Sequence, residues 1–154
     1  MIKMLVMDVD GTLTDGKIYV GKSGETMKAF NVKDGYAIAN ILPDYGIIPV
    51  IITGRQSKIV ENRMAELGVN LLFQGIKDKS ALLTTIVSDN GIAFDEVAYI
   101  GDDINDLECI KLCEKCGCPA DAVNKIKECV DFVSSKCGGN GAVREFVDWL
   151  ISFY

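Results

Sequence analysis

Two aspartates, Asp8 and Asp10, follow the apolar residues Met4, Leu5 and Val6 within the segment MDVDGTLTDG. In an extended chain, side chains two residues apart point to the same side, with Cα atoms about 7 Å apart. Two carboxylates so close repel each other, and burial adds to the cost unless a cation or a bound proton compensates. The pair therefore predicts a metal site, and a solvated acidic turn is the structural alternative.

Polar residues also follow three later apolar segments, 47–52, 71–73 and 97–100. Apolar segments that alternate with helical ones are typical of a parallel sheet covered on both faces, so we predict a doubly wound α/β fold. In such sheets ligands bind at the carboxyl ends of the strands. The residues expected at that edge are Thr53, Gly54, Arg55, Lys79, Asp102 and Asp103.

The chemistry available to this set is that of oxygen ligands and one fixed cation. The carboxylates of Asp8, Asp10 and Asp102, without histidine or thiolate, favour Mg²⁺ over zinc. Thr53, the amide after it and Lys79 can neutralise phosphate oxygens, as phosphoryl transfer requires. The chain has no histidine, which removes Ser-His and Cys-His pairs and leaves a carboxylate as the nucleophile.

Composition narrows the function classes. The net charge is -6 and the lysines are scattered, so nucleic acid is not expected as a partner. No apolar run reaches the roughly 18 residues that span a bilayer, and no signal-peptide pattern is present, so we expect a cytoplasmic protein. Its six cysteines are then expected to be reduced thiols. Residues 1–154 are predicted to form a single domain.

The pattern of apolar and turn residues predicts most element bounds. A β-hairpin is expected at about 17–30, with strands Lys17–Val20 and Glu25–Phe30. Strands are also predicted at Lys3–Val9, Ile47–Thr53, Leu71–Phe73, Val97–Ile100 and Val130–Val133. Helices are predicted at Asp34–Leu42, Ser57–Leu67, Lys79–Asp89, Asn105–Leu112 and Ala142–Ile151. Pro43 is expected to end the first of them.

The segments DVDGT, ITGR, KDK and GDDIND resemble, in this order, the four motifs of the haloacid dehalogenase superfamily of phosphotransferases. The resemblance implies that Asp8 is the nucleophile that becomes phosphorylated. It also implies that Asp10 is the general acid that protonates the leaving alcohol, and then the base that activates water.

The same resemblance implies a ligand set. Asp8, Asp102 and the backbone carbonyl of Asp10 would hold Mg²⁺. Thr53, Gly54 and Lys79 would bind the phosphoryl group. Asp103 and Asp106 would orient the metal-bound waters, and direct ligation by one of them is the alternative.

Further segments, FNVKDGYAI, LFQGIKDK and GGNGAVREF, extend the resemblance along nearly the whole chain. They are similar to a small branch without a cap domain, which includes the phosphatases of 3-deoxy-D-manno-octulosonate (KDO) 8-phosphate and of 2-keto-3-deoxynonulosonate and sialic acid 9-phosphate. Members of the branch form homotetramers in which the hairpin and a neighbouring subunit close each active site. The resemblance thus implies a small phosphorylated sugar acid as substrate and no membrane partner.

Two positions bear on the choice within this branch. Arg55 resembles the KDO 8-phosphate enzymes, where it is a possible substrate contact, whereas the nonulosonate type is expected to carry glutamate there with a lysine near Gly68. Asn140 departs from the pattern, because the KDO 8-phosphate enzymes typically have arginine at that place. The resemblance favours KDO 8-phosphate, with the 9-phosphates as the alternative.

Three other functional classes could use a similar set of residues. A receiver-type signalling domain also surrounds Mg²⁺ with acids, a threonine and a lysine, but its phosphorylated aspartate is expected at the end of a middle strand. A non-catalytic regulatory or assembly module of a nucleotide-sugar synthetase would not need intact Asp8, Asp10, Lys79 and Asp102. A phosphomutase would need a cap domain, and no insertion large enough for one is visible.

Four cysteines close in sequence, Cys109, Cys113, Cys116 and Cys118, raise the question of structural zinc. Their spacing is not that of a recognised zinc ribbon. Cys118 is expected in a short buried strand, where free cysteine acts as a small hydrophobic residue. We expect these four cysteines to pack in the apolar core rather than to bind a metal ion.

Overall fold

The computed structural model describes residues 1–154. Its strands are β1 (Met4–Met7), β2 (Tyr19–Gly21), β3 (Gly24–Met27), β4 (Ile48–Ile52), β5 (Leu71–Phe73), β6 (Val97–Ile100), β7 (Lys115–Cys118) and β8 (Phe132–Val133). Its α-helices are α1 (Val32–Tyr36), α2 (Leu42–Asp44), α3 (Lys58–Glu66), α4 (Lys79–Asp89), α5 (Leu107–Ile110), α6 (Asn124–Lys127) and α7 (Ala142–Ile151). A π-helical segment, Ala37–Ile41, joins α1 to α2, and a 3-10 turn, Ile104–Asp106, leads into α5.

Six strands form one parallel sheet in the order β5-β4-β1-β6-β7-β8. The central strand β1 is buried at every residue and pairs with β4 on one side and β6 on the other. Strands buried on both faces are apolar throughout, which is why MLVM and VAYI carry no alternation. The predicted doubly wound α/β fold is confirmed.

The two faces of the sheet are covered by separate apolar clusters. Leu5 and Met7 of β1 point to the face that the π-helical segment, α3 and α7 cover. Met4 and Val6 point to the other face, which α4, α5 and α6 cover. Each fully buried aliphatic side chain of this kind stabilises the fold by about 1.5–3 kcal/mol. Helices on both sides thus fix β1, whose end carries the acidic pair.

The predicted hairpin is confirmed as the two-stranded antiparallel sheet β2-β3, separate from the main sheet. It contains the exposed apolar residues Val20 and Met27, 70% and 50% accessible. The structure contains no cap domain, and no helix in it is both long and apolar enough to cross a membrane.

The predictions of α4, β5, β6 and α7 agree with the structure at both ends, and β4 and α3 are one residue shorter at each end. The predicted helix end at Pro43 is wrong, because the helical path continues to Asp44. In the π-helical segment the N–H of Leu42 bonds to the carbonyl of Ala37, five residues back. This wider turn accommodates a proline, which has no N–H and whose ring would clash in a regular α-helix.

Other bounds differ as well. The hairpin strands are Tyr19–Gly21 and Gly24–Met27, and the first helix begins at Val32. The first strand ends at Met7, so Asp8 and Asp10 lie in the turn that follows, where three N–H groups bond to the carbonyl of Val9. The predicted helix Asn105–Leu112 begins as a 3-10 turn and ends at Ile110. The last strand is only two residues long, because β8 is the edge strand beside β7.

Candidate active site

A polar cavity of about 280 Å³ lies at the carboxyl edge of the sheet. No apolar residue lines it, which suits a small anionic ligand rather than an apolar one. Most of the residues that the sequence predicted for the site contribute to its wall. The lining residues are Asp8, Asp10, Gly16, Thr53, Gly54, Arg55, Asp102, Asp103 and Asn105.

Asp8 lies directly after β1 and is held by a lysine from another element. The Nζ atom of Lys79, the first residue of α4, is 2.9 Å from Oδ1 of Asp8 and 2.9 Å from Oδ1 of Asp106. Lys79 is 2% exposed and Asp106 is fully buried. Burial by itself would lower the pKa of Lys79, but attraction to Asp8 and Asp106 outweighs it and raises the pKa. The ammonium is thus a fixed positive charge beside Asp8.

Both oxygens of Asp106 already accept hydrogen bonds. Oδ1 accepts from Lys79 and from the hydroxyl of Tyr99 at 2.6 Å, and Oδ2 accepts from the backbone N–H of Asp102 and of Asp103. A carboxylate that accepts this many bonds is a positioning group. It fixes the loop that carries Asp102, and the indirect role of Asp106 toward the metal stays a prediction. Tyr99 was not predicted, since a buried tyrosine in a strand carries no signal of this contact.

Asp102 follows β6 and faces Asp8 across the site. Its Oδ1 accepts from the hydroxyl of Thr12 at 3.2 Å. Gly11 lies so close to this carboxylate, with φ at +91°, that a Cβ there would collide with it. Asp102 therefore explains the glycine and the threonine that follow the acidic pair. Gly11 leaves space for its carboxylate, and Thr12 donates a hydrogen bond to it.

The carboxylates of Asp8, Asp102 and Asp106 have ligand atoms within 4.8 Å of one another. Burial, and then repulsion from Asp106, raise the pKa of Asp8 to about 6. Burial, and then repulsion from Asp8, raise the pKa of Asp102 to about 8. Because Asp106 is already saturated with donors, Asp8 and Asp102 are the pair whose charge needs compensation. Two hard oxygen ligands in this state fit a divalent cation such as Mg²⁺.

The raised pKa values predict how the metal-free protein responds to pH. Between about pH 4 and about pH 8 the folded state binds more protons at Asp8 and Asp102 than the unfolded state does, so stability falls as pH rises. Added Mg²⁺ competes with those protons, and we expect its stabilising effect to grow over the same range. Thermal unfolding with a chelator and with Mg²⁺, at several pH values, measures both trends.

Asp102→Asn is the matched variant for this experiment, because it removes the group with the higher pKa. We expect it to flatten the pH dependence of the thermal midpoint and to weaken the effect of Mg²⁺. A wild-type midpoint that rises steadily with pH in the presence of chelator would contradict the assignment of this carboxylate pair.

Asp10 lines the cavity, and its carboxylate pairs with a lysine from the hairpin. Its Oδ1 is 2.5 Å from Nζ of Lys28, which comes from the end of the hairpin. Lys28 also pairs with Glu25 at 3.1 Å. Neither hairpin residue was predicted for the site, since only the folded position of the hairpin brings them to Asp10.

The loop before α7 packs against the loop that carries the acidic pair. A Cβ on Gly138 would collide with the carbonyl of Gly11, and the N–H of Gly139 bonds to the carbonyl of Thr12. Close backbone approach explains the glycines of GGNG at this place. Asn140 and Arg144 lie elsewhere, in a second polar cavity.

The cysteine cluster brings no three sulfur atoms within metal-ligand distance. The thiol of Cys116 instead donates to the carbonyl of Ile110 at 3.2 Å. Burial raises the pKa of Cys109 to about 12 and that of Cys118 to about 11, so both are neutral thiols. Cys109, Cys116 and Cys118 belong to the apolar cluster on one face of the sheet.

Residues 73–146 match the haloacid dehalogenase-like hydrolase family. The 3-deoxy-D-manno-octulosonate 8-phosphate phosphatase of Escherichia coli (strain K12) is 43% identical over 150 residues, which cover 97% of this chain and 79% of that protein. The phosphatase of the same name from Haemophilus influenzae is 39% identical over 150 residues, which cover 97% of this chain and 83% of that protein.

Solved structures give the same result. The cobalt-bound deoxy-D-mannose-octulosonate 8-phosphate phosphatase from Haemophilus influenzae has a TM-score of 0.94 at 38% identity, covering 98% of this chain and 88% of that one. The corresponding enzyme from Moraxella catarrhalis, in complex with magnesium, phosphate and KDO, has a TM-score of 0.93 at 38% identity, covering 98% and 86%. The resemblance inferred from the four motifs is therefore confirmed, and the chain belongs to the haloacid dehalogenase-like hydrolases, within the family of the 3-deoxy-D-manno-octulosonate 8-phosphate phosphatases.

Proposed function

We propose that this protein is a Mg²⁺-dependent phosphatase that hydrolyses KDO 8-phosphate through a phosphorylated aspartate at position 8. The observation that carries this proposal is the cluster of Asp8, Lys79 and Asp102 in a small polar cavity. Membership of the family supports the substrate. Residues 1–154 are proposed to act as a single phosphatase domain.

The first step is attack by a carboxylate oxygen of Asp8 on the phosphorus of the substrate. A bond forms from that oxygen to phosphorus, and the bond from phosphorus to the sugar oxygen breaks. Asp10 gives its proton to the departing alcohol. Thr53, the amide of Gly54 and Lys79 hold the other phosphoryl oxygens and stabilise their charge.

The second step removes the phosphoryl group from Asp8. Asp10, now a carboxylate, takes a proton from a water molecule as that water attacks phosphorus. The acyl phosphate bond breaks, which frees Asp8 and releases phosphate. Asp10 thus ends the cycle with the proton it began with.

Asp8, Asp102 and the backbone carbonyl of Asp10 are the residues proposed to hold Mg²⁺. The bound ion would supply positive charge that neutralises the transferring phosphoryl group. Asp106 would act through Asp102 and Lys79, which it positions. Asp103 accepts from the N–H of Ile104 at 2.7 Å and caps the turn, so we propose an indirect role for it, as for Asp106.

Arg55 is proposed to contact the carboxylate of the sugar acid. It lines the cavity and half of its side chain is exposed. Its nearest acid is Glu25, 3.7 Å away, which leaves the guanidinium available for a second anion. An arginine suits a carboxylate because its paired N–H groups match the two oxygens.

The experiment that tests the substrate is phosphate release with Mg²⁺ from KDO 8-phosphate, the two nonulosonate 9-phosphates and simple hexose phosphates. We expect a strong preference in kcat/KM for KDO 8-phosphate. Preference for a 9-phosphate would transfer the assignment to the alternative substrate. Weak hydrolysis of every ester would keep the phosphatase chemistry and reject the sugar.

We also propose a homotetramer and a cytoplasmic location. Ile18, Val20, Met27 and Val32, on or near the hairpin, are exposed apolar side chains, which suits a surface covered by another subunit. All six cysteines are unpaired, the state expected in a reducing compartment. Light scattering at micromolar concentration is expected to give the mass of four chains, and a monomer would contradict the assembly.

A further inference from the structure

The hairpin β2-β3 contributes charged residues to the active site of its own chain. The side chain of Lys28 is 2% exposed, and its Nζ lies 2.5 Å from Asp10 and 3.1 Å from Glu25. A lysine shared by two carboxylates at such distances is held in one position. Within this chain, then, the hairpin reaches the residue to which the mechanism assigns both proton transfers.

The other end of this contact is anchored to the main fold. Oε1 of Glu25 accepts from the hydroxyl of Ser57 at 2.6 Å. Ser57 is the N-cap of α3, and its backbone N–H bonds to Gln74 at 3.0 Å. The chain of contacts therefore runs from a helix cap through Glu25 and Lys28 to Asp10, and each member is fixed by the one before it.

Asp10 needs an external anchor because of where it lies. It lies within the tight turn after β1, and Lys79, which pairs with Asp8 and Asp106, does not reach it. A general acid must lie within hydrogen-bond reach of the leaving oxygen, and a misplacement of about 1 Å costs on the order of a hundredfold in rate.

We propose that Lys28 is a positioning residue of this phosphatase, which holds the carboxyl group of Asp10 toward the leaving oxygen, and that Glu25 and Ser57 keep Lys28 in place. The inference rests on the proposed function and adds to it a residue outside the four motifs. It assigns the hairpin a role within its own chain besides that of a surface for other subunits.

The test compares two esters that differ in their need for an acid. Departure of the alcohol of KDO 8-phosphate requires a proton, whereas p-nitrophenolate leaves p-nitrophenyl phosphate without one. For Lys28→Met we expect kcat/KM to fall about tenfold to a hundredfold with KDO 8-phosphate and less than about threefold with p-nitrophenyl phosphate. Lys3→Met is the control, because Lys3 is an exposed lysine just before β1, at the end of the sheet away from the cavity; it is expected to match the wild type with both esters.

A double-mutant cycle with Asp10→Asn separates positioning from structural damage. If Lys28 acts through Asp10, Lys28→Met lowers kcat/KM for KDO 8-phosphate much less in the Asp10→Asn background than in the wild type. Equal losses with the two esters, or full additivity with Asp10→Asn, would overturn the inference.

Removing Lys28 alone leaves two carboxylates without their partner, so folding must be checked by thermal unfolding. If Lys28→Met does not fold, Glu25→Gln/Lys28→Met removes a negative charge together with the positive one and is expected to give the same ester dependence. Failure of the proposed function would appear in the wild type, as no hydrolysis of KDO 8-phosphate. Failure of this inference would appear only in the variants. Whichever alkyl phosphate the wild type hydrolyses, Lys28→Met would then lose as much activity with p-nitrophenyl phosphate as with that ester.

Discussion

Replacement of Asp8 by asparagine is expected to lower phosphate release by at least about 10⁴-fold, because the amide cannot form the covalent bond to phosphorus. The fold should survive. Burial and repulsion from Asp106 raise the pKa of Asp8, so a neutral side chain of the same shape costs less there than the carboxylate. We expect the metal-free variant at about pH 8 to unfold at no lower temperature than the wild type.

The measurement is phosphate release with Mg²⁺ at saturating substrate, alongside thermal unfolding of the same samples. Asp44→Asn provides a matched control, since Asp44 is an exposed aspartate at the end of α2, away from the cavity. Its activity should equal that of the wild type. Turnover by Asp8→Asn within about a hundredfold of wild type would remove Asp8 from the nucleophile role.

Replacement of Lys79 by methionine is expected to have the second largest effect after that of Asp8→Asn. It should lower both the stability of the fold and kcat. Methionine fills the space without the charge that links Asp8 and Asp106. Loss of one partner from a buried ion pair costs about 3–5 kcal/mol of stability. Lys79 is proposed to hold the phosphoryl oxygens, and loss of such a cation is expected to lower kcat about 10²-fold to 10³-fold.

The two effects can be separated with a second variant. Asp106→Asn/Lys79→Met removes a buried charge of each sign, so we expect it to recover part of the stability but none of the activity. Lys77→Met is the control, because Lys77 is exposed two residues earlier in the chain. Denaturant unfolding and steady-state kinetics measure the two properties. Near-normal kcat in the stable double variant would show that Lys79 is structural only.

The residues that the sequence located well are those that follow buried strands. Asp8, Thr53 and Asp102 each come directly after an apolar run, or within a few residues of it, and a parallel sheet brings the ends of such runs to one edge. The chemistry could be predicted because it depends on residue types at a position that the fold determines. The covering helices were predicted equally well where apolar residues recur on one face, as in α7.

Contacts made by side chains across the fold could not be predicted in this way. Lys28 reaches Asp10 because of how the hairpin folds back, and no local pattern encodes that position. Tyr99 and Asp106 form their hydrogen bond inside the sheet layer, where the sequence shows only an apolar strand and an acidic turn. The helical path through Pro43 was missed because it depends on the π-helical segment before it.

The proposed mechanism requires that Asp8 carries the phosphoryl group during turnover. Its most direct test is a rapid-quench experiment in which the enzyme, with Mg²⁺, is mixed with KDO 8-phosphate and stopped by acid, followed by peptide mass spectrometry. We expect a phosphorylated peptide that contains Asp8, formed and lost at rates that match turnover, and absent from Asp8→Asn. Phosphate release without any phosphorylated peptide, or with phosphorylation at another residue, would contradict it.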